Sequence, residues 1–506
     1  MITIDGNSLS IEDVISICKN HEKVQLSPAA EPKIIESRKY VEKVLKENRS
    51  VYGITTGFGE LANKSISPDK AEKLQENIIR SHSTGVGTPF DKEVVRGVIL
   101  LRANALAKGH SGVRIIVIET LLELLNKDIY PFIPSQGSVG ASGDLAPLSH
   151  LALALIAEGE CFVDGKRVCA DIVLKNAGIT PLKLKAKEGL GLINGTQVMA
   201  SLGCLAVNQA KTLLKNAQIA GAMSLEALKG TAKAFDARVH ELRPHPGQLN
   251  VAENIRNLID SSEIIASHKD CSKVQDAYTL RCMPQVYGAV ADTIDYVYRV
   301  LSIEINSATD NPLIFPKQDE AISGGNFHGE PLAFAMDYLG IALSEIANIS
   351  ERTIDRLVNP HKSGLPAFLS RDNGLNSGFM VAQYTAASLV SENKVLAHPS
   401  SVDSIPTSAG QEDHVSMGTT ASRHARDITQ NVEQVVAIEL LASAQGMDFW
   451  NMEPGKGTKI AHDFIREHIS FMDEDRILYK DMEIAKRLVT SGEIVKAVEK
   501  YINIKS

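Results

Sequence analysis

Residues 331–352, PLAFAMDYLGIALSEIANISER, carry apolar side chains at Leu332, Met336, Leu339, Leu343, Ile346 and Ile349. Steps of three and four residues bring such positions onto one face of an α-helix. Residues 427–444 follow the same rule with Ile428, Val432, Val435, Val436 and Leu440, and residues 197–234 are rich in Ala and Leu with few breakers. All three stretches therefore predict long helices. Their polar faces are too sparse for full solvation, which predicts a bundle that also buries surface against other chains.

Towards the N-terminus the pattern changes. Gly, Pro and Ser cluster around 52–59, 82–89 and 131–147, predicting loops joined by short helices. Residues 161–168, CFVDGKRV, read as a hairpin turning at Asp164-Gly165, because Asp-Gly supplies the left-handed backbone of a two-residue turn. A length of 506 residues by itself suggests about three domains. With no repeat, low-complexity tract or linker, two parts are expected: a loop-rich one over 1–195 and a long-helix bundle with C-terminal helices over 196–506.

Net charge is −8, from 53 Lys and Arg against 61 Asp and Glu, so nothing electrostatic points to nucleic acid or an anionic membrane. A composition 44% apolar and 23% charged excludes disorder as the main state. Residues 1–20 lack the basic start, apolar core and cleavage site of a secretory signal. The longest apolar stretches, such as 151–157, fall short of the roughly 18 residues of a membrane span. The cysteines, Cys18, Cys161, Cys169, Cys204, Cys271 and Cys282, form no C-x-x-C pair and read as reduced thiols of a cytoplasmic protein. No H-E-x-x-H, G-x-x-x-x-G-K-[ST] or G-x-S-x-G occurs, so neither a metal, a phosphate cradle nor a serine nucleophile is expected.

What remains is GSVGASGDLAPLSH, residues 137–150. Three small residues in series, Ala141-Ser142-Gly143, let the Gly143 amide nitrogen approach the Ala141 carbonyl carbon, and the missing Cβ of Gly143 permits so tight a fold. Closing that bond makes a five-membered ring. Loss of water from the ring and from the Ser142 side chain then leaves an exocyclic methylidene, an electrophile made of backbone. Taken alone, such a trio is usually an ordinary tight turn, and spacing does not establish cyclisation.

The same run resembles the signature of the aromatic amino acid lyases and aminomutases, whose Ala-Ser-Gly triad matures into 4-methylideneimidazol-5-one. The resemblance covers nearly the whole chain. It continues in YGITTGFG (52–59), RSH (80–82), GLINGT (191–196), QDAYTLRC (275–282), DNP (310–312), GNFH (325–328), GLNSGFM (374–380) and QEDHVSMG (411–418). It implies a mainly α fold of the fumarase/aspartase type, with a loop-rich catalytic part and a long, nearly parallel central bundle. A homotetramer with active sites shared between chains is implied, without external cofactor, nucleic acid or membrane. Within the family the pieces are most similar to those of lyases acting on histidine, which implies elimination of ammonia from L-histidine to give trans-urocanate, a step of histidine degradation.

Carried over by motif, Ala141, Ser142 and Gly143 form the prosthetic group, and Tyr52 and Tyr278 stand beside it as base, acid or electrophile-positioning groups. Glu412 accepts a bond from an imidazole N–H or moves a proton. Arg281 clamps the substrate carboxylate, for which its planar fork is matched. Asn194 and Gln275 donate to the prosthetic carbonyl or the carboxylate, Phe327 packs behind the prosthetic ring, and His82 and Met380 complete the substrate-binding set. Read without the resemblance, these are packed rings, structural amides, an ordinary ion pair and a solvated Glu. Thr55 stands where histidine lyases usually carry Asn, and Met283 where a Gln is common. The TTGFGE and RSHS pieces resemble tyrosine aminomutases more closely, whereas Glu412 points back to histidine. The alternatives implied are a tyrosine or phenylalanine ammonia-lyase, a tyrosine 2,3-aminomutase, or a non-catalytic helical scaffold of the same fold.

Ser142→Ala is expected to abolish most turnover, because no methylidene forms without the serine oxygen to expel. Near-normal activity of that variant in a steady-state assay removes the electrophile from the mechanism.

Overall fold

Helices dominate the residues that the computed structural model describes, 1–268 and 274–505. The four longest are Gln197–Ala227, Met283–Glu304, Glu330–Val358 and Gly418–Met447. Every residue of the apolar face read from 331–352 is buried, as is the face read from 427–444. The run 197–234 overshoots its helix. Lys229 takes a left-handed φ of 48°, and the Gly230 N–H turns back to the Leu225 carbonyl at 2.8 Å, a helix-ending geometry that Gly favours. Glu330–Val358 is, by length and composition alone, apolar enough to cross a membrane, which the reading of the longest apolar stretches had not expected; 67% of that apolar window is buried within the protein, as in a core helix.

The chain divides into two compact units. The first gathers Met1–Leu205, Tyr298–Asp337 and Pro399–Arg423, and the second Ala206–Val297, Tyr338–His398 and His424–Ser506. The first is thus assembled from three stretches of chain, unlike the continuous 1–195 of the sequence reading.

In the first unit, short helices such as Ala71–His82, Lys92–Ala107 and Leu145–Leu155 alternate with loops and small sheets. The hairpin forms as read: Glu160–Val163 pairs antiparallel with Lys166–Cys169, and Asp164 and Gly165 take φ of 48° and 76°. Cys271 lies outside the described residues, and the other five cysteines are free thiols.

The second unit carries a buried polar cluster between its long helices. Glu439 is fully buried, and its Oε1 accepts a hydrogen bond from Ser224 Oγ at 2.9 Å. Tyr287 and Ser350 lie beside it. Burial pushes the Glu439 carboxyl up to about 7 from its ordinary 4.5. A carboxyl raised on folding contributes stability that is complete below its unfolded pKa and is lost as the pH rises through its folded one. Above neutrality the native state therefore carries the cost of ionising Glu439. Glu439→Gln is expected to be more stable than the parent at about pH 8 by roughly 2–3 kcal/mol, with the gap closing towards about pH 5. Thermal unfolding at both pH values measures it, and a pH-independent difference contradicts it.

Candidate active site

The loop of residues 137–144 is shaped by glycines. Gly137, Gly140 and Gly143 have φ of 129°, 71° and 74°, a region that side-chain-bearing residues rarely enter. At Gly143 the constraint is steric as well: a Cβ there would lie 2.1 Å from the Gly195 carbonyl oxygen. The next residue, Asp144, donates its N–H to that same oxygen at 2.7 Å. Ala-Ser-Gly is thereby pressed backbone to backbone against Asn194-Gly195.

Asp144 anchors the loop from its other end. Its Oδ2 accepts from the Val198 and Met199 N–H groups at 2.9 and 3.1 Å, and its Oδ1 from Thr419 Oγ1 at 2.6 Å. The two amides belong to the first turn of Gln197–Ala227, where free N–H groups favour a negative charge. Burial nevertheless dominates, and pushes the Asp144 carboxyl up to about 6 against these donors.

Around Ser142 the sequence-distant motifs meet. Asn194 Nδ2 donates to the Ser142 carbonyl at 2.8 Å, while Ser142 Oγ donates to Glu412 Oε1 at 3.1 Å. Glu412 Oε2 accepts from Thr407 Oγ1 at 2.8 Å. The Asn194 carbonyl accepts from the guanidinium of fully buried Arg102 at 2.7 Å, and burial draws Arg102 down to about 10. Asn194 Oδ1 is buried with no hydrogen-bond partner among the described residues. Met417 N–H bonds to the Val139 carbonyl at 3.0 Å, and Val139, Ala141, Val415 and Met417 pack together, so 415–417 backs the triad.

In front of Ser142 lies a cavity of about 710 Å³, which Tyr52, His82, Ser142, Asn194, Phe327 and Glu412 line with Phe58, Asn311 and Gln411 among others. His82 ends the helix Ala71–His82. Burial lowers its pKa from the ordinary 6.5 while the Glu412 charge opposes, so the imidazole is mostly neutral at pH 7. Tyr52 OH accepts from the Gly59 N–H at 3.4 Å. Burial raises its pKa, and the Glu412 charge adds to the rise. Its phenol is protonated at neutral pH and is able to donate.

Six of the residues expected from sequence thus line one cavity, with Ala141 and Gly143 flanking Ser142 behind it. Gln275, Tyr278, Arg281 and Met380 belong to the second unit and do not line it. Tyr278 is 71% exposed, and Arg281 lies over its ring at 4.6 Å while donating to the Asp276 carbonyl at 3.1 Å. Thr55 does not line the cavity either; its hydroxyl donates to the Arg49 carbonyl at 2.7 Å and accepts from the Val51 N–H at 2.9 Å, closing the turn before Thr56. Met283 is buried in the second unit. Sequence reasoning assigned no role to Asp144 or Thr407. Asp144 lies inside the quoted run and could have been noticed as a carboxylate among small residues; nothing local marks Thr407.

Residues 9–467 match the family model described as aromatic amino acid lyase. The chain belongs to the aromatic amino acid lyase family. Histidine ammonia-lyase of Alkaliphilus oremlandii is 55% identical over 504 residues, 99% of each chain. That of Caldanaerobacter subterraneus is also 55% identical, over 97% of each chain. Among solved structures, histidine ammonia-lyase from Trypanosoma cruzi superposes with a TM-score of 0.92 at 43% identity, covering 99% of this chain and 96% of that one. A tyrosine aminomutase from Streptomyces globisporus gives 0.94 at 39%, with full coverage of both. The mainly helical fold is shared with these enzymes, which act on small amino acids. Members of the family use the 4-methylideneimidazol-5-one group. The residues here fit it: the Gly143 position admits no Cβ, and Asn194 already donates to the carbonyl that the ring would retain.

Gly143→Ala is expected to block formation of the ring, since its Cβ meets backbone rather than a flexible side chain. The intact mass should stay that of the unmodified chain, and a mass two waters lighter overturns the steric argument.

Proposed function

We infer that the protein is a histidine ammonia-lyase, a carbon–nitrogen lyase that removes ammonia from L-histidine to leave trans-urocanate. The observation that carries the reading is Glu412, one carboxylate oxygen from Ser142 Oγ and in the cavity that His82 also lines. A carboxylate placed there accepts a hydrogen bond from an imidazole N–H; a bare phenyl ring would leave it desolvated and unpaired. The curated relatives at 50–55% identity over nearly the full chain carry the same function.

Ala141-Ser142-Gly143 is proposed as the source of the prosthetic group, which supplies an electrophile for covalent catalysis. Asn194 holds its carbonyl and polarises it. Neutral His82 presents a ring nitrogen to the substrate imidazole without like-charge repulsion, and Glu412 fixes the orientation of that ring. The Tyr52 phenol, protonated at rest, offers its proton within the cavity or, once deprotonated, takes one.

The same proposal makes the enzyme a cytoplasmic homotetramer whose sites draw Gln275, Tyr278, Arg281 and Met380 into the substrate-binding set. It is supported by the exposure of Tyr278 and by an apolar groove of about 690 Å³ in the second unit, lined by Val286, Ala289, Tyr296, Tyr338 and Ile341.

Purified protein given L-histidine, L-tyrosine or L-phenylalanine is expected to produce urocanate absorbance from the first alone. Coumarate from tyrosine with no urocanate overturns the reading. Glu412→Gln is expected to lose histidine turnover by about a hundredfold while keeping the prosthetic-group absorbance, and unchanged kinetics count against the pocket assignment.

A further inference from the structure

Thr407 and Glu412 face one another across a tight reversal of the chain. The Thr407 N–H bonds to the Glu412 carbonyl at 2.8 Å, and the Glu412 N–H returns to the Thr407 carbonyl at 3.2 Å. Between them Ser408, Ala409 and Gly410 take φ of 51°, 54° and 88°. Three left-handed residues in series, two of them bearing side chains, persist only where the surroundings hold them. The surroundings here are Gly59 and Glu60. The Glu60 N–H donates to Ser408 Oγ at 3.4 Å, and Ser408 Oγ lies 2.3 Å from where a Gly59 Cβ would stand. Gly59 is also the residue whose N–H donates to Tyr52 OH. The turn that carries Glu412 is therefore seated on the loop that carries Tyr52.

The backbone reversal places the Glu412 Cα but does not fix its carboxylate, since a terminal sp³–sp² torsion has a broad, soft profile. Two side-chain bonds do that, and only one of them outlasts the loss of the Ser142 hydroxyl on ring formation. Thr407 Oγ1 donates to Oε2 at 2.8 Å, which leaves Oε1 directed at Ser142 Oγ. We propose that Thr407 is a positioning residue for the reaction: its hydroxyl locks the Glu412 carboxylate plane so that Oε1 alone is presented to the substrate. A hydrogen bond to an ionised acceptor is strong enough for this, and it fills one oxygen's hydrogen-bonding capacity so that the other receives the substrate N–H. The inference rests on the histidine reading above, in which Glu412 orients the imidazole.

Thr407→Val keeps the shape of the side chain and removes the donor, whereas Thr407→Ser keeps the donor and removes the methyl. In wild type and both variants, kcat and KM for L-histidine, the melting temperature and the prosthetic-group absorbance are measured. Thr407→Val is expected to lower kcat by about tenfold with little change in KM, and Thr407→Ser to stay within about twofold of wild type. Added to Glu412→Gln, Thr407→Val should have no further effect, because it acts only through that carboxylate. Equal losses in the Val and Ser variants, or an undiminished further loss in the Glu412→Gln background, overturn the positioning role. Should Thr407→Val fail to fold, Thr407→Ala replaces it with the same expectations. Absence of urocanate from the wild-type protein overturns the substrate reading itself, whereas urocanate from the wild type with unaltered Thr407→Val kinetics overturns the positioning role alone.

Discussion

The backbone of Ser142–Asp144 lies against that of Asn194 and Gly195 so closely that Gly143 has no room for a Cβ, and the Asp144 N–H is spent on the Gly195 carbonyl. Much of the first unit is organised around keeping that contact. Asp144 is held by the first amides of Gln197–Ala227 and by Thr419, so the loop is tied at once to a long helix and to the segment 399–423. Arg102, buried in Lys92–Ala107, holds the Asn194 carbonyl from behind. An Ala-Ser-Gly triad in a free loop would sample many conformations. Here both of its flanks are fixed, and ordering them beforehand is what makes an unfavourable backbone approach accessible.

Burial sets the protonation states in and behind the cavity. It raises Tyr52 and lowers His82 at the lining, and lifts Asp144, buried behind it, to about 6, in each case shifting the balance towards the neutral form. Glu412 acts on two of these groups in opposite senses, adding to the rise at Tyr52 and opposing the fall at His82. A neutral imidazole and a protonated phenol beside a carboxylate form a site suited to a neutral heteroaromatic ring that both donates and accepts. This is the physical link between the pocket's composition and histidine as substrate.

Much of the fold was legible because helix faces have a short period. The buried positions from Leu332 to Ile349 and from Ile428 to Leu440 are those the spacing of three and four selects, and Asp164-Gly165 announced its hairpin by turn chemistry. The limits were local as well as global. The 197–234 run ended early because Lys229 and Gly230 turn the chain back, a break that two residues impose on an otherwise helical composition. The first unit recruits 298–337 and 399–423, which no periodicity encodes. Thr55, a departure from the expected motif, proved to spend its hydroxyl on its own turn rather than on the cavity.

Residue identity settled the chemistry available: a trio small enough to cyclise, a helical scaffold, and the motifs that place the chain in its family. Those depend on residue identity and on spacings of a few positions, which a linear reading resolves. Tertiary structure decided which groups surround that trio. Glu412 stands 270 positions from Ser142, and Thr407 acquires its role only because three left-handed residues fold it back onto Glu412. It also separated Tyr52, His82, Asn194, Phe327 and Glu412, which share one cavity, from Gln275, Tyr278, Arg281 and Met380, which lie in the other unit. Long-range juxtaposition is set by the packing of whole elements, and no local pattern carries it.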